Sequence, residues 1–444
     1  MVRHMARSNA VAIMNRAVSM VSNAEKQKIL EHITRDELAA LTKELVDIPS
    51  PTGHEREIGE FILDWQKIYG LKTISQQISA DRINAIGIVQ GAGGGTSLTI
   101  NGHMDTSFTG TDEDLVLCRE LEPVEDLRGV IDSGKVFGLG ASNMKCGLAA
   151  FMMAGKAIQK SGIRLKGDLI LAAVAGEISR TPIGPYQSED YRGEGTGTRH
   201  LLTHGVQSDY AIVADGSALS VIWAQTGVAQ FKISSFGNPR SAWGKTRNDA
   251  PPRDSSAVLK MVDIIRAVDD WAEEFEQKTI YQSENGPIIS KVNLGAIRGG
   301  APYRPNYYPG VCDLYVDVRM PPKTSPVEVQ RQLSRVLAKL DMETELEMYG
   351  SLLGHEAEGV EPLAGVLEAT HQELYGEKTP AVTPGRSSIW TDTNIYNEMG
   401  IPACKFGPRG ERWKMRSEQV EVEEIYRAAQ IFALAAATIC NWER

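Results

Sequence analysis

His103 and Asp105 stand two residues apart in Asn101-Gly-His-Met-Asp-Thr106, after an apolar run (Ser97 to Ile100) that reads as a buried strand. In a sheet covered by helices, ligands bind outside the carboxyl ends of the strands. A His-x-Asp pair delivered there suits a metal-binding imidazole with a carboxylate to orient it. The arrangement recurs. Asp168 to Ala175 and Tyr210 to Ala214 are continuous apolar runs, as expected of strands buried on both faces; they end at Gly176-Glu177 and Asp215-Gly216. A fourth segment, Val136 to Gly147, sets Asn143 and Lys145 in a glycine-bounded turn before an apolar helical run from Leu148. Polar turns that merely end strands are the plain alternative. Four in succession, each with a ligand-type side chain, favour a site that binds a metal and activates water.

The elements around these residues alternate. Helical periodicity over Glu25 to Val46 is broken at Ile48-Pro-Ser-Pro-Thr-Gly53, and a helix follows over about Glu55 to Ile68. Helix and strand then alternate to about residue 220, which predicts an α/β layer with a mixed, mostly parallel sheet between helices. From Thr226 a second pattern begins: a strand (Ala229 to Ser235), a helix (Ser255 to Phe275), strands Val292 to Ile297 and Val311 to Val318, a helix from Pro326 and a strand from Glu343. That is the split βαββαβ, ferredoxin-like arrangement. The expected organisation is an extension over residues 1–24, a catalytic domain over 25–224 and 353–444, and an inserted lid and dimerisation domain over 225–352.

Composition narrows the function class. A chain of 444 residues is long for one core. With 47 basic and 57 acidic residues its net charge is −10, which argues against nucleic acid as a partner. Five scattered cysteines without a CxxC pair point to reduced thiols and a cytoplasmic setting. No apolar run reaches the 18 or so residues of a membrane span. The first residues carry Arg3, Arg7 and Arg16 and lack a long apolar stretch, so they read as an extension and not as a secretory signal.

The sequence resembles the acetylornithine deacetylase, succinyl-diaminopimelate desuccinylase and carboxypeptidase G family of metallohydrolases over roughly residues 34 to 440. The likeness rests on NGHMDTS (101–107), GLGASNMKCG (138–147), AGE (175–177), GTGTRHLL (195–202), VADG (213–216), the PNYYP and DVRMPP stretches of 305–322, and TDTNIYNEMGIPACKFGP (391–408). It implies a catalytic α/β domain interrupted by a lid that dimerises. It also implies a pair of divalent ions, of which His103 and Asp215 match ligands of the first, and a general base matched by Glu177. Departures are concentrated. The bridging Asp of the family falls at Asn143, the second acidic ligand at Ile178, the late His at Lys414, and the lid His near Ser241.

Two ions about 3.5–4 Å apart need an anionic bridge to offset their repulsion. An Asn is a poor bridge, an Ile is no ligand, and a Lys repels cations. The expected centre is therefore mononuclear: His103, Asn143 and Asp215 around one divalent ion (Mn, Zn, Co or Fe) per subunit, with Glu177 and Asp105 as catalytic residues. Lys145 and Lys414 are candidates for taking up charge left by the absent contacts. Within the family this set resembles the aminohydrolase that converts 5-nitroanthranilate to 5-nitrosalicylate and ammonia, in which an electron-poor ring is its own electron sink. Hydrolysis of an N-acyl or N-carbamoyl amino acid is the alternative, and a non-catalytic binding relative the third. Asn306, Arg304, Arg386, Ser241 and Trp390 are the substrate-side candidates for a small carboxylate-bearing molecule, aromatic in the aminohydrolase reading, Arg being suited to bidentate carboxylate binding and Trp to stacking. A homodimer or higher homo-oligomer through the lid is expected.

Overall fold

The computed structural model describes residues 21–243 and 252–444, so most of the expected N-terminal extension lies outside the described residues. In chain order the main helices are α1 (Asn23–Leu30), α2 (Arg35–Asp47), α3 (Arg56–Ile68), α4 (Cys146–Ser161), α5 (Thr196–Thr203), α6 (Ala257–Lys278), α7 (Pro326–Leu337), α8 (Glu361–Tyr375), α9 (Thr393–Glu398) and α10 (Val422–Ile439). The main strands are β1 (Lys72–Ser79), β2 (Arg82–Val89), β3 (Leu98–His103), β4 (Leu169–Val174), β5 (Tyr210–Val213), β6 (Gly227–Phe236), β7 (Lys291–Gly299), β8 (Val311–Met320), β9 (Thr344–Leu352) and β10 (Ala403–Lys405). They form two compact units: one of residues up to Trp223 with Ala357–Val382 and Thr391–Arg444, the other of Ala224–Glu356 with Thr383–Trp390.

The first unit is built on a six-stranded sheet in the order β1-β2-β4-β3-β5-β10. β1/β2 and β2/β4 run antiparallel, while β4/β3, β3/β5 and β5/β10 run parallel. β3 and β4 are buried along their whole length, and β4 is accordingly an unbroken apolar run, while Thr99 and Asn101 of β3 donate hydrogen bonds to the hydroxyls of Ser208 and Thr198. α2, α4 and α10 pack with the sheet around one hydrophobic core. The register fixes the working edge. His103 lies opposite Val174, Asn101 opposite Val213, and Val213 opposite Lys405. The carboxyl ends of β4, β3, β5 and β10 are therefore side by side, as parallel pairing requires.

The second unit runs β6-α6-β7-β8-α7-β9, with a hairpin (Ile280–Ser283 and Gly286–Ile289) after α6. Its sheet has the order β7-β8-β6-β9 and is antiparallel throughout. β8 alternates buried and partly exposed residues, as a sheet covered by helices on one face does, and α6 and α7 supply that cover.

Two features differ from the sequence expectation. The helix expected over Glu25 to Val46 is two helices, because the Thr34 hydroxyl accepts the Glu37 N–H and starts α2 afresh. Strand β1 has no apolar signature: its KTISQQIS sequence belongs to an exposed edge strand.

His355 in the second unit gives a pH prediction. Neither ring nitrogen has a hydrogen-bond partner, and burial lowers the imidazole pKa to about 3. Between pH 6.5 and 3 the unfolded chain takes a proton that the folded chain refuses, so stability falls as pH falls through that window, on the order of 1 kcal/mol per pH unit. His355→Phe removes this contribution. The wild-type-minus-variant difference in chemical denaturation should narrow in the variant's favour from pH 6.5 downward. A pH-independent difference would contradict it.

Candidate metal and water-activating site

Four side chains of the first unit come together at the carboxyl edge of its sheet. His103, the last residue of β3, is buried. Its Nδ1–H donates to the backbone carbonyl of Asp105 at 2.9 Å, which turns Nε2 toward Asn143 Oδ1 at 3.2 Å and Glu177 Oε2 at 3.6 Å. Asn143 is held from both sides. Its amide nitrogen donates to Ser107 Oγ at 3.3 Å, and its backbone N–H, with that of Ser142, donates to Glu418 Oε2 at 2.8 Å. Asp215 follows β5 by two residues, and its Oδ2 lies 3.7 Å from the ammonium of Lys405.

Asp105 meets His103 through both its backbone and its side chain. The hydrogen bond that orients His103 comes from the Asp105 backbone carbonyl, while its carboxylate stands 3.4 Å from Nδ1. That carboxylate also accepts the backbone N–H groups of Glu177 (2.9 Å) and Ile178 (3.1 Å) and the hydroxyl of Thr52 (2.7 Å). Asp105 thus ties the loop that carries Glu177 to the strand that carries His103.

Charge in this pocket is unbalanced toward the negative. Burial pushes the Glu177 carboxyl well above the usual carboxylate range, and it pushes Asp392 up to about 7. Burial opposes charge on His103, yet the Glu177, Asp105 and Asp215 carboxylates raise its pKa well above the ordinary value. A site that draws a proton so strongly onto an imidazole offers the same stabilisation to a cation. Once Nδ1–H is committed to a carbonyl, Nε2 and Asn143 Oδ1 are lone-pair atoms facing each other, and only a proton or a cation between them satisfies both. Donor separations of 3.2 and 3.6 Å are what atoms about 2.0–2.2 Å from a shared transition-metal ion produce. Such donors suit a divalent cation. Among the described residues no three His, Cys, Asp or Glu side chains form a metal cage.

The other expected residues are placed as follows. Ile178 contributes its backbone N–H to Asp105, and its aliphatic side chain offers no ligand. Lys414 does not serve the site. Its ammonium pairs with Asp126 at 2.8 Å and lies over the Trp413 ring. Lys145 is buried, donates to the Ile48 carbonyl at 2.7 Å, and is lowered to about 7 by burial. The lysine at the site is Lys405, to which the sequence reading assigned no role. Ser241, Arg304 and Asn306 meet in the second unit, where Ser241 bridges Tyr307, the Ala242 N–H donates to the Asn306 carbonyl at 2.9 Å, and Arg304 stacks on Tyr307. Arg386 lies on a short helical turn (Pro384–Ser387) and Trp390 is buried, both within that same unit. A cavity of about 720 Å³ in the first unit, lined by Ser50, Thr106, Leu139 and Lys145 among others, includes none of His103, Asn143, Glu177 or Asp215.

Residues 99–438 match the family model described as peptidase family M20/M25/M40. The chain belongs to that family. Its relatives include the N-formyl-4-amino-5-aminomethyl-2-methylpyrimidine deformylase of Halalkalibacterium halodurans, 25% identical over 434 residues and covering 90% of this chain and 94% of that protein. The succinyl-diaminopimelate desuccinylase of Corynebacterium glutamicum is 23% identical over 404 residues, covering 88% and 94%. Among solved structures, the aminopeptidase PepT of Bacillus cereus superposes with a TM-score of 0.67 at 16% identity, covering 92% of this chain and 99% of that one. The YXEP protein of Bacillus subtilis, described as a dinuclear metal binding peptidase of the M20 family, superposes with a TM-score of 0.61 at 15% identity, covering 91% and 98%. As an M20 family member the chain is a metal-dependent hydrolase acting on C–N bonds. No helix among the described residues is long and apolar enough to cross a membrane.

Close packing behind the site yields a further prediction. Gly147 of α4 sits so near the end of β5 that a Cβ there would lie 2.2 Å from the Ala214 carbonyl oxygen. Gly147→Ala must displace Ala214 and, with it, Asp215. Altering groups that orient a metal ligand typically costs 10–100-fold in affinity. The variant should bind Mn(II) about tenfold more weakly in calorimetric titration, and unaltered affinity would show that β5 relaxes without moving Asp215.

Proposed function

We propose that this M20 protein is a single-metal hydrolase that releases an amine or ammonia from a small carboxylate-bearing substrate. The observation that carries this is the pairing of His103 Nε2 with the neutral Asn143 Oδ1, beside Glu177 and with Ile178 as the neighbouring side chain. The neutral Asn143 oxygen is a poor bridge between two ions, which supports a single one. A divalent ion held by His103, Asn143 and Asp215 supplies Lewis acidity and makes water a nucleophile near neutral pH. The chain's own residues do the rest. Glu177, buried and with a raised pKa, takes the proton of the attacking water at its carboxylate and returns it to the departing nitrogen. Asp105 holds the Glu177 backbone, and Glu418 holds that of Asn143. Arg304, Asn306, Arg386, Ser241 and Trp390 are the substrate-side candidates of the second unit, and that unit is the proposed dimerisation module.

Two substrate classes fit this chemistry. The named relatives are a deformylase and a desuccinylase, and this supports an N-acyl, N-formyl or N-carbamoyl amide. A specific observation favours an electron-poor aromatic amine. With Asn143 and Ile178 where charged ligands would stand, the site offers less stabilisation to an oxyanion, and a ring bearing a nitro group carries that charge itself. Water then adds to the amine-bearing carbon, the C–N bond breaks, and the products are a phenol and ammonia. Metal-loaded protein should be offered 5-nitroanthranilate beside a panel of N-formyl, N-acyl and N-carbamoyl amines. Ammonia and a nitrosalicylate from the first identify the aromatic reaction. Turnover of the amides alone identifies the amidohydrolase. No turnover of either, with ligand binding retained, overturns the enzymatic proposal.

A further inference from the structure

One buried charge has no part in this scheme. Lys405 ends β10 and is completely buried, with its ammonium 3.7 Å from Asp215 Oδ2. Its position is firmly set. β10 pairs with β5 so that Lys405 lies opposite Val213, two residues before Asp215. The Lys405 backbone exchanges hydrogen bonds with Ile222 at 2.7 and 3.0 Å. Just beyond, Gly407 packs so tightly that a Cβ would lie 2.2 Å from the Ala214 carbonyl oxygen. Lysine is almost never fully buried unless paired. The charged groups that face it are Asp215 and Glu177, which attract it, and Arg409, which repels it.

We propose that Lys405 is the resident second cation of this site, a positioning residue whose ammonium shares Asp215 with the metal ion, so that the pocket takes one ion and holds it more loosely than Asp215 alone would. This rests on the single-metal reading above. Asp215 cannot give its full charge to a metal while Oδ2 faces an ammonium. A second divalent ion would meet Lys405 in a water-poor space where like charges repel strongly.

The test is calorimetric titration of the metal-free full chain with Mn(II), with the folding of each variant checked by its thermal unfolding. Wild type should bind one ion. Lys405→Met should bind it at least about tenfold more tightly, because a repelling charge is removed from beside a ligand. Lys405→Arg, which keeps the charge, should behave like wild type, and Lys405→Gln should tighten binding as the Met variant does. In an Asp215→Asn background the Lys405→Met change should lose its effect. A lysine that merely filled space would show weaker or unaltered binding when replaced. That result in Lys405→Met, or in Lys405→Gln should the Met variant fail to fold, overturns the proposal. Two ions, or none, in wild type would instead overturn the single-metal reading.

Discussion

Glu177→Gln should lower kcat about a thousandfold while the protein still folds and still takes up one Mn(II) per chain. General-base catalysis contributes on the order of 10²–10⁴, and Glu177 has the position and the chemistry for it. Its Oε2 is 3.6 Å from His103 Nε2, and its backbone is fixed by the 2.9 Å hydrogen bond to Asp105. Burial raises its pKa, which makes the carboxylate a stronger base than a solvated one. Glutamine keeps the shape and the backbone bond but has no lone pair basic enough to take a proton from water. Steady-state kinetics on whichever substrate is turned over, with metal content measured on the same sample, decides the matter. A loss below tenfold would remove Glu177 from the proton path. A loss accompanied by metal release would make it a ligand instead.

Much of this site was legible in the sequence because parallel strands leave an unmistakable trace. β3, β4 and β5 are buried on both faces, so their sequences are dominated by apolar residues, and the chain delivers His103, Glu177 and Asp215 at or just beyond the carboxyl end of each strand. The split βαββαβ pattern shows by a different trace, the alternation of buried and partly exposed residues along antiparallel strands such as β8. What the sequence hid depends on contacts between distant segments. Lys405 sits in Ala-Cys-Lys-Phe-Gly-Pro, where a lysine reads as an exposed residue on a short strand. Only the pairing of β10 with β5 brings it to Asp215, a residue 190 positions earlier. Lys414 was misjudged by the same blindness, since its partner Asp126 belongs to a loop nearly 300 residues away. The part played by Asp105 is finer. Spacing alone places a carboxylate near an imidazole, but whether the side chain or the backbone carbonyl makes the bond depends on the turn. Here the Glu177 and Ile178 amides claim the side chain.

Arg82→Met should destabilise the protein by about 3–5 kcal/mol, the range expected when one partner of a buried ion pair is removed. Both side chains are wholly buried, and the guanidinium grips Glu55 with two parallel bonds of 3.0 Å. It also donates to the Arg192 carbonyl at 2.8 Å and packs under the turn before Glu177, where Gly176 has φ +67° and a Cβ would lie 2.0 Å from Arg82 Nη2. Even with Arg82 in place, burial and the nearby Asp105 push Glu55 up to about 7. Without Arg82 that pKa rises further, so folding must hold a proton on Glu55 or bury a bare charge. The sign follows from linkage. A carboxyl whose folded pKa lies above its unfolded value costs nothing below the unfolded pKa, and costs progressively more as pH rises toward the folded one. The stability deficit of Arg82→Met measured by denaturant titration should therefore stay level up to about pH 7, where Glu55 is protonated in both folded proteins, and grow as pH rises above it. Adding Glu55→Leu should recover much of it and flatten the pH dependence, because a buried pair replaced by apolar groups is often tolerated where half a pair is not. A deficit that ignores pH, or a double variant no better than the single, would mean that Arg82 acts through the Gly176 turn and the Arg192 carbonyl and not through Glu55. In that case the loss should appear in kcat as a displaced Glu177 before it appears in unfolding.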